Sequence, residues 1–160
     1  MSVTLYSGSD QPSRPAEHTG HGKDEVALET SLPCENLAVM RQEVRGLLRG
    51  FHEEFVQDVE LVCNELVANA CDHAEEPRRL RMCRQGHGEN DELVIEVHDA
   101  SADRVPTIGG STAGRNRGNG LRMVQALSSD WGVRRKGAMK VVWARLPIPS
   151  DRAPRKRLTA

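Results

Sequence analysis

The sequence predicts one α+β domain, a two-layer sandwich in which a mixed, mostly antiparallel sheet carries three helices on one face. Its 160 residues are enough to bury a core. Three segments place apolar residues at helical spacing, and five shorter segments alternate apolar and polar residues. Four of the five strand segments form pairs whose connections are too short for a crossover helix, which indicates antiparallel pairing. One apolar face on each layer then lets sheet and helices cover each other.

Bulk composition narrows the range of partners. The net charge is −1, so no overall field draws the chain to nucleic acid or to an anionic membrane. No apolar run approaches the roughly 20 residues of a membrane span. The start of the chain lacks the basic region and apolar core of a signal peptide. We therefore expect a cytoplasmic protein with no direct nucleic-acid or membrane partner.

The four cysteines show no C-x-x-C spacing. In a cytoplasmic protein, Cys34, Cys63, Cys71 and Cys83 are expected to be reduced and mostly buried thiols. A zinc site that uses Cys71, His73 and a distant residue is an alternative, although it lacks the paired ligand spacing of known zinc sites.

Composition divides the chain into three parts. Residues 1–24 are rich in Ser, Pro, Gly, Asp and His and are predicted to be disordered, because they hold too little apolar surface to fold. Residues 25–148 form the predicted domain. Residues 149–160 form a basic tail, for which solvation is the plain interpretation and contact with nucleic acid the minor alternative. Its basic residues are Arg152, Arg155, Lys156 and Arg157.

The domain begins with a strand and a helix. Glu25 to Leu32 alternates, with Val26, Leu28, Thr30 and Leu32 expected on one side, which is a strand pattern that Pro33 ends. Asn36 to Arg49 follows as a helix, and Gly50 ends it. The apolar face of that helix consists of Leu37, Met40, Val44, Leu47 and Leu48.

A longer helix, Asp58 to Ala74, follows without internal Gly or Pro. Asp58 suits its N-cap, while Glu53 or Glu54 would begin it earlier. Glu75-Glu76-Pro77 ends it. Its predicted apolar face is Val59, Val62, Cys63, Leu66 and Ala70.

Polar residues lie along the border of this apolar face. Glu65, Asn69 and His73 stand at i, i+4 and i+8, with Asp72 beside them, within an arc of roughly 100°. A solvated helix flank is the plain interpretation, and composition alone favours it. The motifs that follow in the sequence give these residues a chemical role.

The second half of the chain holds two hairpins separated by a glycine-rich stretch and a helix. The helix starts after Gly118-Asn119-Gly120 and places Leu121, Val124 and Leu127 on one face, with Asn119 as N-cap. The four predicted strands are Arg79–Gln85, Glu92–His98, Trp131–Arg135 and Met139–Leu146.

Residues 104–118 show no apolar period, and five glycines lie between positions 109 and 120. Glycines that lead into a helix start form an anion site, because backbone N–H groups and the helix dipole point at the ligand. Arg115 and Arg117 could meet phosphate oxygens from a lid that closes over a nucleotide. A plain flexible linker is the alternative.

Several other nucleotide and hydrolase motifs are missing. The chain has no G-x-x-x-x-G-K-[ST] and no G-x-S-x-G. Gly118 to Met123 lacks the third small residue of the dinucleotide fingerprint and follows a loop rather than a strand.

Three segments resemble the motifs of one family, in its order. Glu65-Leu-Val-Ala-Asn69-Ala-Cys-Asp-His73-Ala resembles the N box of the GHKL superfamily, whose fold is the Bergerat ATP-binding sandwich. Val97-His-Asp99-Ala-Ser101 resembles its first glycine box. Gly118-Asn-Gly120-Leu-Arg-Met-Val-Gln-Ala-Leu127 resembles its second. The resemblance runs from about Val26 to Leu146 and is strongest to the stand-alone anti-sigma-factor serine/threonine kinases of bacteria.

This resemblance implies a function. The chain would be an ATP-dependent protein kinase that phosphorylates a small anti-sigma-factor antagonist in a partner-switching control of transcription, with a sigma factor and a second copy of the chain as further partners. A non-catalytic ATP-binding regulator that sequesters a sigma factor or an antagonist is the alternative. A histidine-kinase fragment would need a phosphoacceptor His on a helix pair, but His18 and His21 lie in predicted disorder.

The resemblance also assigns roles. Asn69 would hold Mg²⁺ against the phosphates of ATP, Glu65 would be the general base, and Asp99 would accept a hydrogen bond from the adenine amino group. Where the family has D-x-G-x-G, this chain has Ser101 and Asp103, which leave less room for the backbone to approach the nucleotide. The remaining expected nucleotide contacts are His73 at the pocket edge, Arg115, Arg117, Gly118, Asn119, Gly120 and Leu121.

Overall fold

The computed structural model describes residues 25–32, 34–86, 88–103 and 120–150. The predicted disordered segment 1–24 lies outside these residues, as do the predicted lid 104–118 and most of the basic tail. The expectations for those segments therefore stay predictions.

The described chain holds eight regular elements and one 3-10 turn at Gly88–Asn90. None of the described helices is long and apolar enough to cross a membrane. In chain order, the elements are β1 (Glu25–Ser31), α1 (Leu37–Leu47), α2 (Glu53–His73), β2 (Arg79–Gln85), β3 (Glu92–Asp99), α3 (Gly120–Leu127), β4 (Asp130–Lys136) and β5 (Met139–Pro147).

The five strands form one sheet in the order β1-β2-β3-β5-β4. All four pairings are antiparallel. The predicted α+β sandwich is confirmed. Its sheet is antiparallel throughout the described strands, because β5 lies between β3 and β4 and runs antiparallel to both.

The core lies between the helices and one face of the sheet. The predicted apolar faces of α1, α2 and α3 meet the inward residues of β2, β3 and β5 there. Full burial of each large aliphatic side chain contributes about 1.5–3 kcal/mol, so this layer holds the fold together. Its most deeply buried side chains include Met40, Leu48, Leu66, Leu80, Met82, Leu93, Ile95 and Leu146.

The start of α2 and the residue pattern of β1 differ from the sequence prediction. Helix α2 begins at Glu53, the earliest of the three predicted starts, because Phe55 and Val56 are buried and add a turn to its apolar face. The predicted alternation of β1 is wrong at its start. The pairing register shifts between Val26 and Leu28, so that Ala27 is buried and Val26 is 45% exposed.

The cysteine prediction is wrong for one pair. Cys34 and Cys71 form a disulfide between the turn after β1 and the last turns of α2. The 37 residues between them hid this proximity, because nothing in their spacing shows that the fold brings the two together. The zinc alternative fails with it, since the Cys71 sulfur is already bonded. Cys63 and Cys83 are reduced, buried thiols, as predicted.

A buried ionic cluster lies on the sheet face opposite the core. Glu96 on β3 is 2% exposed and forms ion pairs with Arg81 on β2 and Arg134 on β4. It also contacts His98 Nε2 at 3.0 Å. Burial alone would raise the pKa of Glu96. The hydrogen bond with His98 and the charges of the two arginines outweigh burial and lower that pKa to about 2.

Candidate functional site

Helix α2 carries three of the predicted site residues on the border of its buried face. Glu65 and Asn69 are half-buried, whereas His73 and the neighbouring Asp72 are more open to solvent. Because Leu66 beside them is 1% exposed, the backbone that carries these side chains is fixed against the core. The polar residues predicted along one side of α2 therefore do lie at the boundary between core and surface.

Asp99 ends β3 on the side that faces the helices. The β3–β5 register places it opposite Lys140, and its Oδ2 lies 3.4 Å from Lys140 Nζ. Its Oδ1 accepts a hydrogen bond of 2.8 Å from the backbone N–H of Ser101. Asp99 and Lys140 are 1% and 3% exposed. The carboxylate is thus a buried acceptor that is held from two sides.

Ser101 explains the departure from the family's glycine pattern. Its Oγ accepts a 2.6 Å hydrogen bond from the backbone N–H of Glu75. The backbone N–H of Ala100 donates to the Glu75 carbonyl at 3.1 Å. Together these bonds fasten the end of β3 to the segment that follows α2, and the first of them could not form with a glycine at position 101. They connect the chain segments that carry Asn69 and Asp99.

Gly120, the first residue of α3, lies against Glu65. A Cβ built on Gly120 would overlap Glu65 Oε2 and would lie 3.2 Å from Glu65 Cδ. The structure therefore brings the predicted base to the start of the helix whose backbone was predicted to meet phosphates. The side chain of Leu121 is 6% exposed and packs in the core, so only its backbone can serve the predicted contact.

The other predicted site residues are not placed. Arg115, Arg117, Gly118 and Asn119 lie outside the described residues. Their roles stay predictions that rest on the sequence.

Sequence reasoning missed one buried charge at the site. The sequence pattern places Lys140 in a strand and assigns it no role. The signal was present, because Lys140 has the same parity along β5 as Val142, Ala144 and Leu146, which all face the core. A lysine at an inward position needs a buried anion, and Asp99 is that anion.

The donor set fits a magnesium nucleotide better than a protein-only metal site. Among the described residues, no group of three or more His, Cys, Asp or Glu side chains could hold a metal ion. Mg²⁺ that arrives with phosphates needs only one or two protein oxygens and keeps several waters. The amide oxygen of the half-buried Asn69 can supply such a ligand.

Comparison with known proteins identifies the family. The model of the histidine kinase-like ATPase domain matches residues 30–146. The match spans well over half of the chain, so the protein belongs to this family, the GHKL superfamily. It is accordingly an ATP-binding domain of the GHKL ATPase and kinase type, as the three motifs predicted. No curated protein matches the chain.

Proposed function

We propose that the protein is an ATP-dependent serine/threonine protein kinase of the anti-sigma-factor type. Its substrate would be a hydroxyl group on a small antagonist protein. One observation carries the proposal: the Glu65 carboxylate lies against the first residue of α3. A base at the start of a helix that receives phosphates is what phosphoryl transfer to a hydroxyl requires.

Phosphate transfer needs a base that accepts the hydroxyl proton and a cation that neutralises charge on the phosphates. Glu65 accepts the proton of the serine or threonine hydroxyl while the hydroxyl oxygen forms a bond to the γ-phosphorus. The bond from the γ-phosphorus to the bridging oxygen breaks, and ADP leaves with that electron pair. Asn69 would hold Mg²⁺, which neutralises charge on the phosphate oxygens when bound.

Adenine recognition falls to Asp99. A carboxylate offers about four acceptor positions, and Ser101 and Lys140 engage one on each oxygen. Among the described residues, these two contacts leave an acceptor position, which the proposal assigns to the adenine amino group. In this proposal His73 lines the pocket edge, and the backbone of Gly120 and Leu121 meets the phosphates. The contacts from Arg115, Arg117, Gly118 and Asn119 belong to the proposal as well.

Partners and location belong to the proposal too. A sigma factor is proposed as a second protein partner, and a homodimer would form through α1 or through β1, which is an edge strand of the described sheet. Sedimentation that shows only a monomer at high concentration would remove the dimer. We propose a cytoplasmic location, where ATP and a sigma factor are both found. The Cys34–Cys71 disulfide is unusual for this location, because disulfides are rare in cytoplasmic proteins.

A nucleotide-binding regulator without kinase activity is the second candidate. Ser101 and Asp103 favour it, because side chains stand where the family has glycines and Ser101 is fixed to Glu75. Such a protein would bind ATP and sequester its partner without phosphate transfer.

Phosphate transfer from labelled ATP to purified small antagonists separates the two candidates. Wild type should transfer phosphate, and Glu65→Gln, which keeps the shape but removes the basicity, should be slower by roughly 10²–10⁴-fold. Glu54→Gln makes the same chemical change at an exposed position of α2 and should transfer at the wild-type rate. A wild type that binds ATP yet phosphorylates no cognate antagonist would establish the regulator instead.

A further inference from the structure

We infer that Gly120 is a positioning residue for Glu65: the absence of a side chain at Gly120 is what lets the Glu65 carboxylate stand at the start of α3. The consequence for catalysis rests on the proposed kinase function. The contact itself does not, so the two can be tested apart.

Packing in the core holds the two backbones close together. Helix α3 is held in the core by Leu121 and Val124, and α2 is held there by Val62 and Leu66. All four side chains are at most 6% exposed. A methyl group at Gly120 would overlap Glu65 Oε2 and would lie 3.7 Å from Glu65 Cβ. The flexible end of Glu65, which is half-buried, is the part that can give way.

Backbone conformation does not explain this glycine. Among the described glycines, those with positive φ are Gly50, Gly86 and Gly137, and Gly120 is helical instead. A helical φ and ψ can be adopted by any L-residue, so the backbone alone does not require glycine there. A glycine in such a position therefore points to close packing, and the group that packs there is a carboxylate.

The negative charge of the Glu65 carboxylate is favourable at the start of α3. The first N–H groups of a helix have no partner within the helix, and the helix dipole favours negative charge beside them. Glu65 is held where the phosphates of a bound nucleotide would also be attracted. A base in that place lies near the reacting hydroxyl, and displacement by about 1 Å can cost about 10²-fold in rate.

Two single variants and their combination test the inference. Gly120→Ala should keep the fold and slow phosphate transfer by about 10²-fold, because the carboxylate is displaced. Glu65→Ala removes the group that collides, so adding Gly120→Ala to it should slow the residual transfer no further. Gly46→Ala is the matched control: a Cβ there meets nothing within 4 Å, and transfer should stay at the wild-type rate.

A glycine that merely makes room for phosphates behaves differently. Gly120→Ala would then weaken ATP binding and transfer by the same factor whether it is introduced into the wild type or into the Glu65→Ala variant, and that result would overturn the inference. Phosphate transfer at the wild-type rate by the Gly120→Ala variant would also overturn the inference. If Gly120→Ala fails to fold, Gly120→Ala with Glu65→Ala should fold. Failure of both would show that the glycine makes room for something other than Glu65.

The carbon resonance of the Glu65 carboxylate tests the contact without any kinase activity. Gly120→Ala should move this signal in the nucleotide-free protein, and Gly46→Ala should leave it in place. An unmoved signal would overturn the inference whether or not the protein is a kinase. A moved signal in a protein that transfers no phosphate would keep the contact and reject only the proposed function.

Discussion

Asp99 carries a buried negative charge whose position is set by two different neighbours. The backbone N–H of Ser101 fixes one oxygen at 2.8 Å, and Lys140 on the adjacent strand lies 3.4 Å from the other. The first neighbour orients the carboxylate, and the second compensates its charge in a place that water barely reaches. A ligand that brings an N–H donor to Asp99 meets an acceptor that is already ordered.

Asp99→Asn should weaken ATP binding by about 1.5–3 kcal/mol, the usual cost of losing a hydrogen bond to a charged group. Calorimetric titration of ATP and GTP into both proteins measures this, and the preference for ATP should shrink in the variant. Asp130→Asn, at an exposed site on β4, is the control. Equal ATP affinities would remove Asp99 from the adenine site.

The folding of this variant needs its own check. Removing one partner of a buried ion pair costs about 3–5 kcal/mol. Asp99→Asn combined with Lys140→Met removes both charges and serves where the single variant does not fold.

The lowered pKa of Glu96 predicts that the free energy of unfolding depends on pH. Its folded-state pKa of about 2 lies below its ordinary value of 4.5, so the carboxylate stabilises the fold above the unfolded-state pKa. The difference corresponds to about 3 kcal/mol, which is lost as pH falls from about 4.5 towards 2. Glu96→Gln should therefore be less stable than wild type at pH 7, and the gap should narrow in acid. Urea unfolding at several pH values measures it, with exposed Glu89→Gln as the control.

At the scale of elements, what repeats locally could be predicted and what depends on distant contacts could not. The apolar face of α2 was readable because Val59, Val62 and Leu66 recur with the helix period. The β1 irregularity at Ala27 was not readable, because a shift in register depends on the partner strand. Cys34 and Cys71 give no local signal of their pairing. At the site, the helix spacing of Glu65 and Asn69 was visible, whereas the contact of Glu65 with Gly120 needed the packing of two helices.

The disulfide should stabilise the fold chiefly by restricting the unfolded chain. For cysteines separated by 37 residues, loop-closure entropy corresponds to about 4 kcal/mol. Cys34→Ser, or reduction of the wild type, should lower the free energy of unfolding by up to this amount. Denaturant unfolding with and without a reductant measures it. Cys34→Ser with Cys71→Ser is the control and should not respond to the reductant. Equal stability of oxidised and reduced wild type would contradict the prediction.

For the whole molecule, the sandwich places chemistry where elements end. Glu65 and Asn69 lie on the edge of α2, Asp99 at the end of β3 and Gly120 at the start of α3. Because these groups come from three elements that are distant in sequence, a ligand bound there would contact all three. Nucleotide binding should then stabilise the folded protein as a whole, because only the folded chain brings these groups together.

Thermal unfolding with Mg-ATP tests this at the scale of the molecule and separates the roles of the two α2 residues. At a hundredfold excess over the dissociation constant, binding adds about 2.7 kcal/mol, which raises Tm by roughly 5–10 °C for a domain of this size. Glu65→Gln should keep most of this rise, because a base acts on the attacking hydroxyl and need not hold the nucleotide. Asn69→Ala should lose most of it, and the loss should match the effect of removing Mg²⁺ from the wild type. Gln57→Ala, on an exposed part of α2, should respond to Mg-ATP as the wild type does. If Asn69→Ala keeps a rise that still depends on Mg²⁺, the metal ligand lies elsewhere in the site. If Glu65→Gln loses the rise, Glu65 contributes to nucleotide binding and not only to proton transfer.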